Sequence, residues 1–379
     1  MAGEGRMRGL ALVVGLAAAM PAVAGPFSTM SWSDARKAPG VVVFDLSKAG
    51  SCSEPEGWDD PSVASWINEH GVTAVRLDRS KEPTTVRKLV DGGHEVVPMR
   101  IAYRDGVEID RACGCVDAPS LTAWMAGLAE GRTLVDAERA RLGDPLSGEL
   151  DVMAELEVVK MHYCAKRHEA GVEHLILLWN EIPKRAPEYQ EARFVRVGHD
   201  MAVLARKSKE AEARIVALRD GLEQAKDTDF DALDDWVALN RVLLQDDRTV
   251  AWYDAHRGEE WFSKFLAHQA PNIFFLLTER GRWADAGAMI DDPMRWLARW
   301  KAAQAGLEQA AIGYGALMAA GRSKEAAQYA KDVLKVAPEG TSCQLVARAV
   351  EAGGAHKSQA PLLKGCDAEL SAAWSAALP

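Results

Sequence analysis

The sequence predicts an α/β domain followed by an all-α domain of helical repeats, and three observations point there. Between Trp32 and Gly131, short runs rich in valine alternate with stretches of helical pattern, the signature of a layered α/β unit. From about Leu134 onward the apolar residues fall at helical spacing, and strand-like runs are few. Within that helical region a turn recurs, as Gly281-Arg282-Trp283-Ala284-Asp285-Ala286 and again as Gly321-Arg322-Ser323-Lys324-Glu325-Ala326, which reads as a repeated helical hairpin. With 379 residues and 48% hydrophobic content, the chain can build one core per domain.

The first residues form an export signal by pattern. Arg6 and Arg8 give a positive start, Gly9 to Met20 is apolar and uncharged, and Ala22-Val23-Ala24 is a small-residue cleavage site. This predicts a signal peptide over 1–24, a mature chain from Gly25, and a periplasmic or secreted protein. The apolar stretch is short for a membrane span, and no later run approaches the ~18 apolar residues a span needs. Cleavage would take the net charge from −10 to −11. An acidic chain without a basic block argues against nucleic acid or an anionic membrane as partner.

The α/β domain is expected over 25–132. Val41-Val42-Val43-Phe44 is its first core strand, and Asp60 to Asn68 a helix with Val63, Trp66 and Ile67 on one face. Val72 to Asp78 reads as the next strand and Glu82 to Val90 as a short helix. Val96 to Tyr103, the turn Arg104-Asp105-Gly106, and Val107 to Ala112 form a hairpin by pattern. Pro119 to Leu128 closes the unit as a helix with proline in its first turn. The helical domain is expected over 133–379.

Cys52, Cys113, Cys115, Cys164, Cys343 and Cys366 all lie in the mature chain. An even count in an exported protein favours disulfides over metal, though six cysteines allow about 15 pairings. Cys343 and Cys366 flank a short helical hairpin and form the preferred structural pair.

The order of elements from Trp32 to Gly131, with Phe44 followed by Asp45-Leu46-Ser47-Lys48-Ala49-Gly50-Ser51-Cys52, resembles the thioredoxin-like family. The resemblance implies Phe, four residues, then Cys-x-x-Cys. Counted without gaps, Ala49 takes the place of the first cysteine and Cys52 that of the second. The first sulfur normally attacks from a helix N-terminus, and the second resolves the mixed disulfide. A second registration, with three inserted residues, makes Cys52 the attacker in Cys52-Ser53-Glu54-Pro55.

The resemblance also implies that Pro98 is a cis-proline facing the sulfur, and that the backbone of Val97 pairs with a bound peptide; proline alone makes a cis bond cheap. Gly114 of Cys113-Gly114-Cys115 matches a glycine beside the active-site surface. Strand alternation would place Cys113 and Cys115 on one side, so either could bond or exchange with Cys52. A static bridge bracing a degenerate domain is the competing expectation.

The segment Leu307 to Gly340, with Gly321, Ala326 and Pro338, resembles a tetratricopeptide repeat, whose period is about 34 residues. Ala310 stands where that family has a large aromatic. Lys207-Ser208-Lys209-Glu210-Ala211 looks like the same turn again, and Glu173 to Pro187 like a second repeat helix. Uneven spacing points to divergent hairpins stacked as an α-solenoid or irregular bundle. Most of the tryptophans, including Trp179, Trp236, Trp283 and Trp296, are expected in cores. Cys164 and His168, with His162 and His174 nearby, lack the converging ligands of a metal site. No phosphate loop, nucleophile elbow or haem attachment sequence is present, so no cofactor is expected. Acidic pairs such as Asp234-Asp235 and Asp246-Asp247 read as helix starts or surface charge. The function these patterns suggest is binding of a peptide or protein partner, with the redox site degenerate. The alternative is a thiol–disulfide oxidoreductase acting through Cys52 with Cys113 or Cys115.

Overall fold

The computed structural model describes residues 26–46, 57–77, 83–90, 98–259, 262, 272–301, 306–335 and 340–379. The signal peptide expected over 1–24, Cys52, Val97 and Pro338 lie outside the described residues. The chain divides into two compact units, Met1–Gly148 with Lys160–Arg167, and Glu149–Val159 with His168–Pro379. The position 132/133 anticipated as a boundary falls inside the first unit.

The first unit is built on a mixed four-stranded sheet, of order β2-β1-β3-β4. Its strands are β1 (Val41–Asp45), β2 (Thr73–Arg76), β3 (Met99–Arg104) and β4 (Val107–Cys113). β1 runs parallel to β2, with Val43 opposite Ala74, and antiparallel to β3, with Val43 opposite Ala102. β3 and β4 form the anticipated hairpin through Asp105-Gly106, whose φ values of 51° and 80° suit a two-residue turn between twisted strands. Outside the strands, Phe27 makes a single parallel bridge to Ala74.

Every residue of β1 is buried because helices cover both faces of the sheet, which removes the alternation seen on a half-exposed strand. On one face Val41, Val43 and Ala102 pack with α2 (Pro61–His70) and α4 (Ala118–Ala129), through Val63, Ile67, Leu121 and Trp124. On the other, Val42, Phe44 and Ile101 meet α1 (Trp32–Ala35) and α3 (Pro83–Leu89), through Ala35, Val86 and Leu89. α2 and α4 start alike: Asp60 caps the nitrogen of Ser62, Asp117 that of Ser120, and each helix carries proline in its first turn. Hydrogen bonds from the Ser62 and Ser120 side chains, and then from their backbone N–H groups, hold the carboxyls of Asp60 and Asp117 below the ordinary aspartate range. α5 (Leu134–Leu142) follows from a capping box on Thr133 and Asp136.

The second unit is helical among its described residues. Hairpins pair α6 (Val152–Cys164) with α7 (His168–Arg185), and α9 (Gly198–Ala205) with α10 (Lys209–Asp220). Between these pairs, Gln190–Ala192 (α8) and a π-helical turn, Arg193–Val197, lead into α9. The series continues with α11 (Phe230–Val242) and α12 (Asp246–His256), then the helix over 272–279 (α13) with α14 (Trp283–Ala288). After α15 (Pro293–Lys301) come α16 (Gly306–Ala319) with α17 (Ser323–Leu334). α18 (Thr341–Glu351) then turns into the 3-10 segment Lys357–Leu363, ahead of α19 (Ala368–Ala377).

One hinge joins five of these pairs. The residue after the first helix is left-handed, at Lys166 (φ 58°), Leu244 (57°), Gly281 (73°), Gly321 (73°) and Gly353 (68°). Its N–H returns to the carbonyl three residues back and the next N–H to the carbonyl five before it, as in Gly321→Met318 and Arg322→Leu317, both 3.0 Å. This is the Schellman stop. Five residues past each of the first four hinges comes a buried small residue: Gly171, Thr249, Ala286 and Ala326. Ala211 takes the same place after Arg206, where the chain turns without a left-handed residue. From Gly171 these positions succeed one another by 40, 38, 37 and 40 residues. The repeat is therefore longer than about 34 residues and nearly regular, although its stretches of sequence diverge.

Candidate functional site

The sulfur-bearing end of the first unit is assembled from the C-terminal ends of β1 and β4 and the N-terminal end of β3. Pro98 is buried just before β3, and its carbonyl accepts the N–H of Gly114 at 2.9 Å. Met99 lies opposite Cys113, and the carbonyl of Met99 accepts the N–H of Leu46 at 2.9 Å. Pro98 and Cys113-Gly114-Cys115 are thus neighbours through the sheet. Val97 and Cys52 are not placed by these bonds.

The hairpin carries Cys113 to the end of β4, where Gly114 takes φ 92°. That conformation favours glycine and ends the extended backbone. The alternation that would put Cys113 and Cys115 on one face therefore stops between them. Their sulfurs part accordingly: Cys113 is bonded to Cys164, with an S–S distance of 2.03 Å across 51 residues. Cys115 is exposed and also disulfide-bonded. Cys343 and Cys366 form the anticipated bridge in the second unit.

A charged network not anticipated from the sequence lies beneath Gly114. Arg100, the second residue of β3, is fully buried and donates to the Gly114 carbonyl at 2.7 Å. Its Nε lies 4.0 Å from the fully buried carboxylate of Asp45, which also accepts from Arg76 at 2.9 Å. Asp45 sits opposite Arg76 in one neighbouring strand and Arg100 in the other, so the sheet register itself brings the charges together. The sequence held a signal, an arginine inside an apolar strand run, where an unpaired charge would be costly.

A second buried carboxylate, Asp110, organises the far side of β4. It accepts from the Trp124 indole at 3.0 Å, the Leu134 amide at 2.7 Å and Arg167 at 3.1 Å. The segment Lys160–Arg167 is therefore fastened to β4 twice, by Arg167 and by the Cys113–Cys164 bond.

In the second unit a groove of about 370 Å³ opens between the Phe194–Ala202 stretch, α11 and α13. Asp234 and Asp235, expected as surface charge, sit beside it on α11. They are half-buried: Asp235 accepts from Arg193 and Trp179, while Asp234 accepts from Asn272 of α13, at 3.2 Å. Burial raises both, taking Asp234 to about 6. The other anticipated tryptophan positions are packed: Trp179, Trp236, Trp283 and Trp296 are all buried.

Among the described residues no three of His, Cys, Asp or Glu converge as metal ligands, and no helix is long and apolar enough to cross a membrane. Comparisons with protein-family models, with curated proteins and with solved structures find no match to this chain.

Proposed function

We propose that this is an exported binding protein: a thioredoxin-like domain whose redox site has been converted to structural bridges, followed by tetratricopeptide-like hairpins that take a peptide or protein partner. The sheet order β2-β1-β3-β4, with one parallel and two antiparallel pairings between helical layers, supports the thioredoxin-like reading. Pro98 at the entry to β3, bonded to Gly114, supports the place assigned to it. The recurring hinge and buried small residue support the repeat reading. The step from fold to role is by analogy with what such folds do.

The observation that carries the proposal is the Cys113–Cys164 bridge, which removes one candidate exchange partner from the site. Of the six cysteines, the Cys113–Cys164 and Cys343–Cys366 bridges use four. Cys115 is bonded, and we take Cys52, the cysteine of the sequence outside these two bridges, as its proposed partner. On this reading Cys52–Cys115 joins the segment after β1 to the segment after β4 and braces the domain. Bridges of this kind suit an oxidising compartment, in keeping with the leader-like start of the chain. The test is insulin reduction by dithiothreitol, with the mature protein and its Cys52→Ser variant added in parallel. Both are expected to leave the rate at the background set by dithiothreitol.

A second reading keeps the oxidoreductase, and the exposure of Cys115 favours it. Dithiothreitol would give two electrons and two protons to the Cys52–Cys115 bridge, and the resulting dithiol would pass them to a substrate disulfide, reforming the bridge, with Pro98 and Val97 aligning the substrate backbone. In the same assay this reading requires acceleration by the wild type that Cys52→Ser and Cys115→Ser both lose.

A further inference from the structure

We propose that the groove beside α11 is the partner site of the helical unit, and that it takes a peptide segment with an aliphatic side chain next to lysine or arginine. This rests on the binding reading above. Phe194, Val195, Val237, Val242 and Leu276 give the groove its apolar lining, and Arg241, Asp246 and Asn272 part of its polar lining. Its volume of about 370 Å³ lies in the range of ligand clefts.

Two apolar side chains here are not explained by the core. Val195, in the π-helical turn, is 67% exposed, and Leu244, just beyond the lining residues Arg241 and Val242, is 74% exposed. Leu244 also holds the left-handed hinge conformation; the corresponding places at 281, 321 and 353 belong to glycine, for which the conformation is free of steric cost. A strained, exposed leucine beside a cleft is the kind of outlier that marks a contact surface.

Charge selects the occupant. Arg241, the guanidinium in the lining, is already engaged by Glu279 at 2.8 and 3.0 Å. Asp246 lines the groove and Asp234 is tied to lining Asn272, and neither has an ion-pair partner among the described residues. Nearby Arg193 and Arg280 are committed to Asp235 and Asp247. Glu279 and Asp246 thus face the Arg241 guanidinium, and Asp234, which burial raises to about 6, adds negative charge beside lining Asn272. An apolar side chain fills the lining while a neighbouring cation meets the surplus negative charge. The overall charge of −10 attracts basic partners in the same sense.

The experiment is fluorescence anisotropy on the mature chain with fluorescein-labelled Gly-Lys-Leu-Lys-Gly, its Glu-Leu-Glu counterpart, and an immobilised random octapeptide array. The lysine peptide is expected to bind and the glutamate peptide not to. Val195→Ser with Leu244→Gly is expected to weaken lysine-peptide binding about tenfold, as loss of aliphatic burial requires, with the thermal unfolding midpoint held or raised. Lysine-peptide binding unchanged in that variant, or equal binding of the glutamate peptide, overturns this groove while peptide binding by the chain stands. If neither peptide nor any array member binds, the groove and the binding reading both fall.

Discussion

At the scale of single residues, the charges buried in this chain decide more than the sequence advertises. Asp234 has a folded-state value of about 6 against an ordinary 3.8, chiefly through desolvation. Because the value is raised, the folded protein holds that proton more tightly than the unfolded chain does. The contribution of Asp234 to stability is thus most favourable below about 3.8, declines as pH rises to about 6, and is level above. Asp234→Asn removes this dependence and is expected to stabilise the second unit at pH 7 by no more than roughly 3 kcal/mol, with no gain below pH ~4. Urea unfolding from pH 4 to 7 checks it, and a gain independent of pH would refute the assignment. Asp110 contributes through the bonds it accepts. Asp110→Ala strands the Trp124 and Leu134 donors and Arg167, and is expected to lower the denaturant midpoint of the first unit by an amount equivalent to about 3 kcal/mol. Neither residue was legible in the sequence, since burial of a carboxylate depends on which helix passes over it. Arg100 was partly legible, as a charge inside a strand run.

Among the elements, legibility follows turn chemistry. The hairpin β3–β4 and the stops at Gly281 and Gly321 could be read because glycine announces a left-handed residue. The stops at Lys166 and Leu244 were invisible because bulky side chains occupy the same conformation. Without them the spacing of the repeat looked uneven, and the regular series of buried small residues emerged only with the structure. Helix crossings show the same economy. A Cβ on Gly287 of α14 would run into the Ala316 carbonyl of α16, whereas Gly258 faces nothing within 4 Å. Gly287→Ala is therefore expected to destabilise by about 3 kcal/mol or more, and Gly258→Ala to be near neutral; equal thermal midpoints would show that the two helices separate freely.

For the whole molecule, the division into an α/β unit and a helical unit was readable from periodicity, whereas the pairing of sulfurs was not. The Cys113–Cys164 bond depends on Lys160–Arg167 joining the first unit, a packing event with no local sequence signal. Closing a loop across 51 residues is expected to stabilise by roughly 4 kcal/mol, so Cys113→Ser with Cys164→Ser should lower the unfolding midpoint of the first unit markedly.

The proposed binding role requires sulfurs locked in bridges instead of being held ready for exchange. Peptide mapping of the mature, non-reduced protein by mass spectrometry addresses that directly. It should give three linked fragments, joining Cys113 to Cys164, Cys343 to Cys366, and Cys52 to Cys115. A free thiol at Cys52 and Cys115, or a fragment linking Cys52 to Cys113, would contradict it.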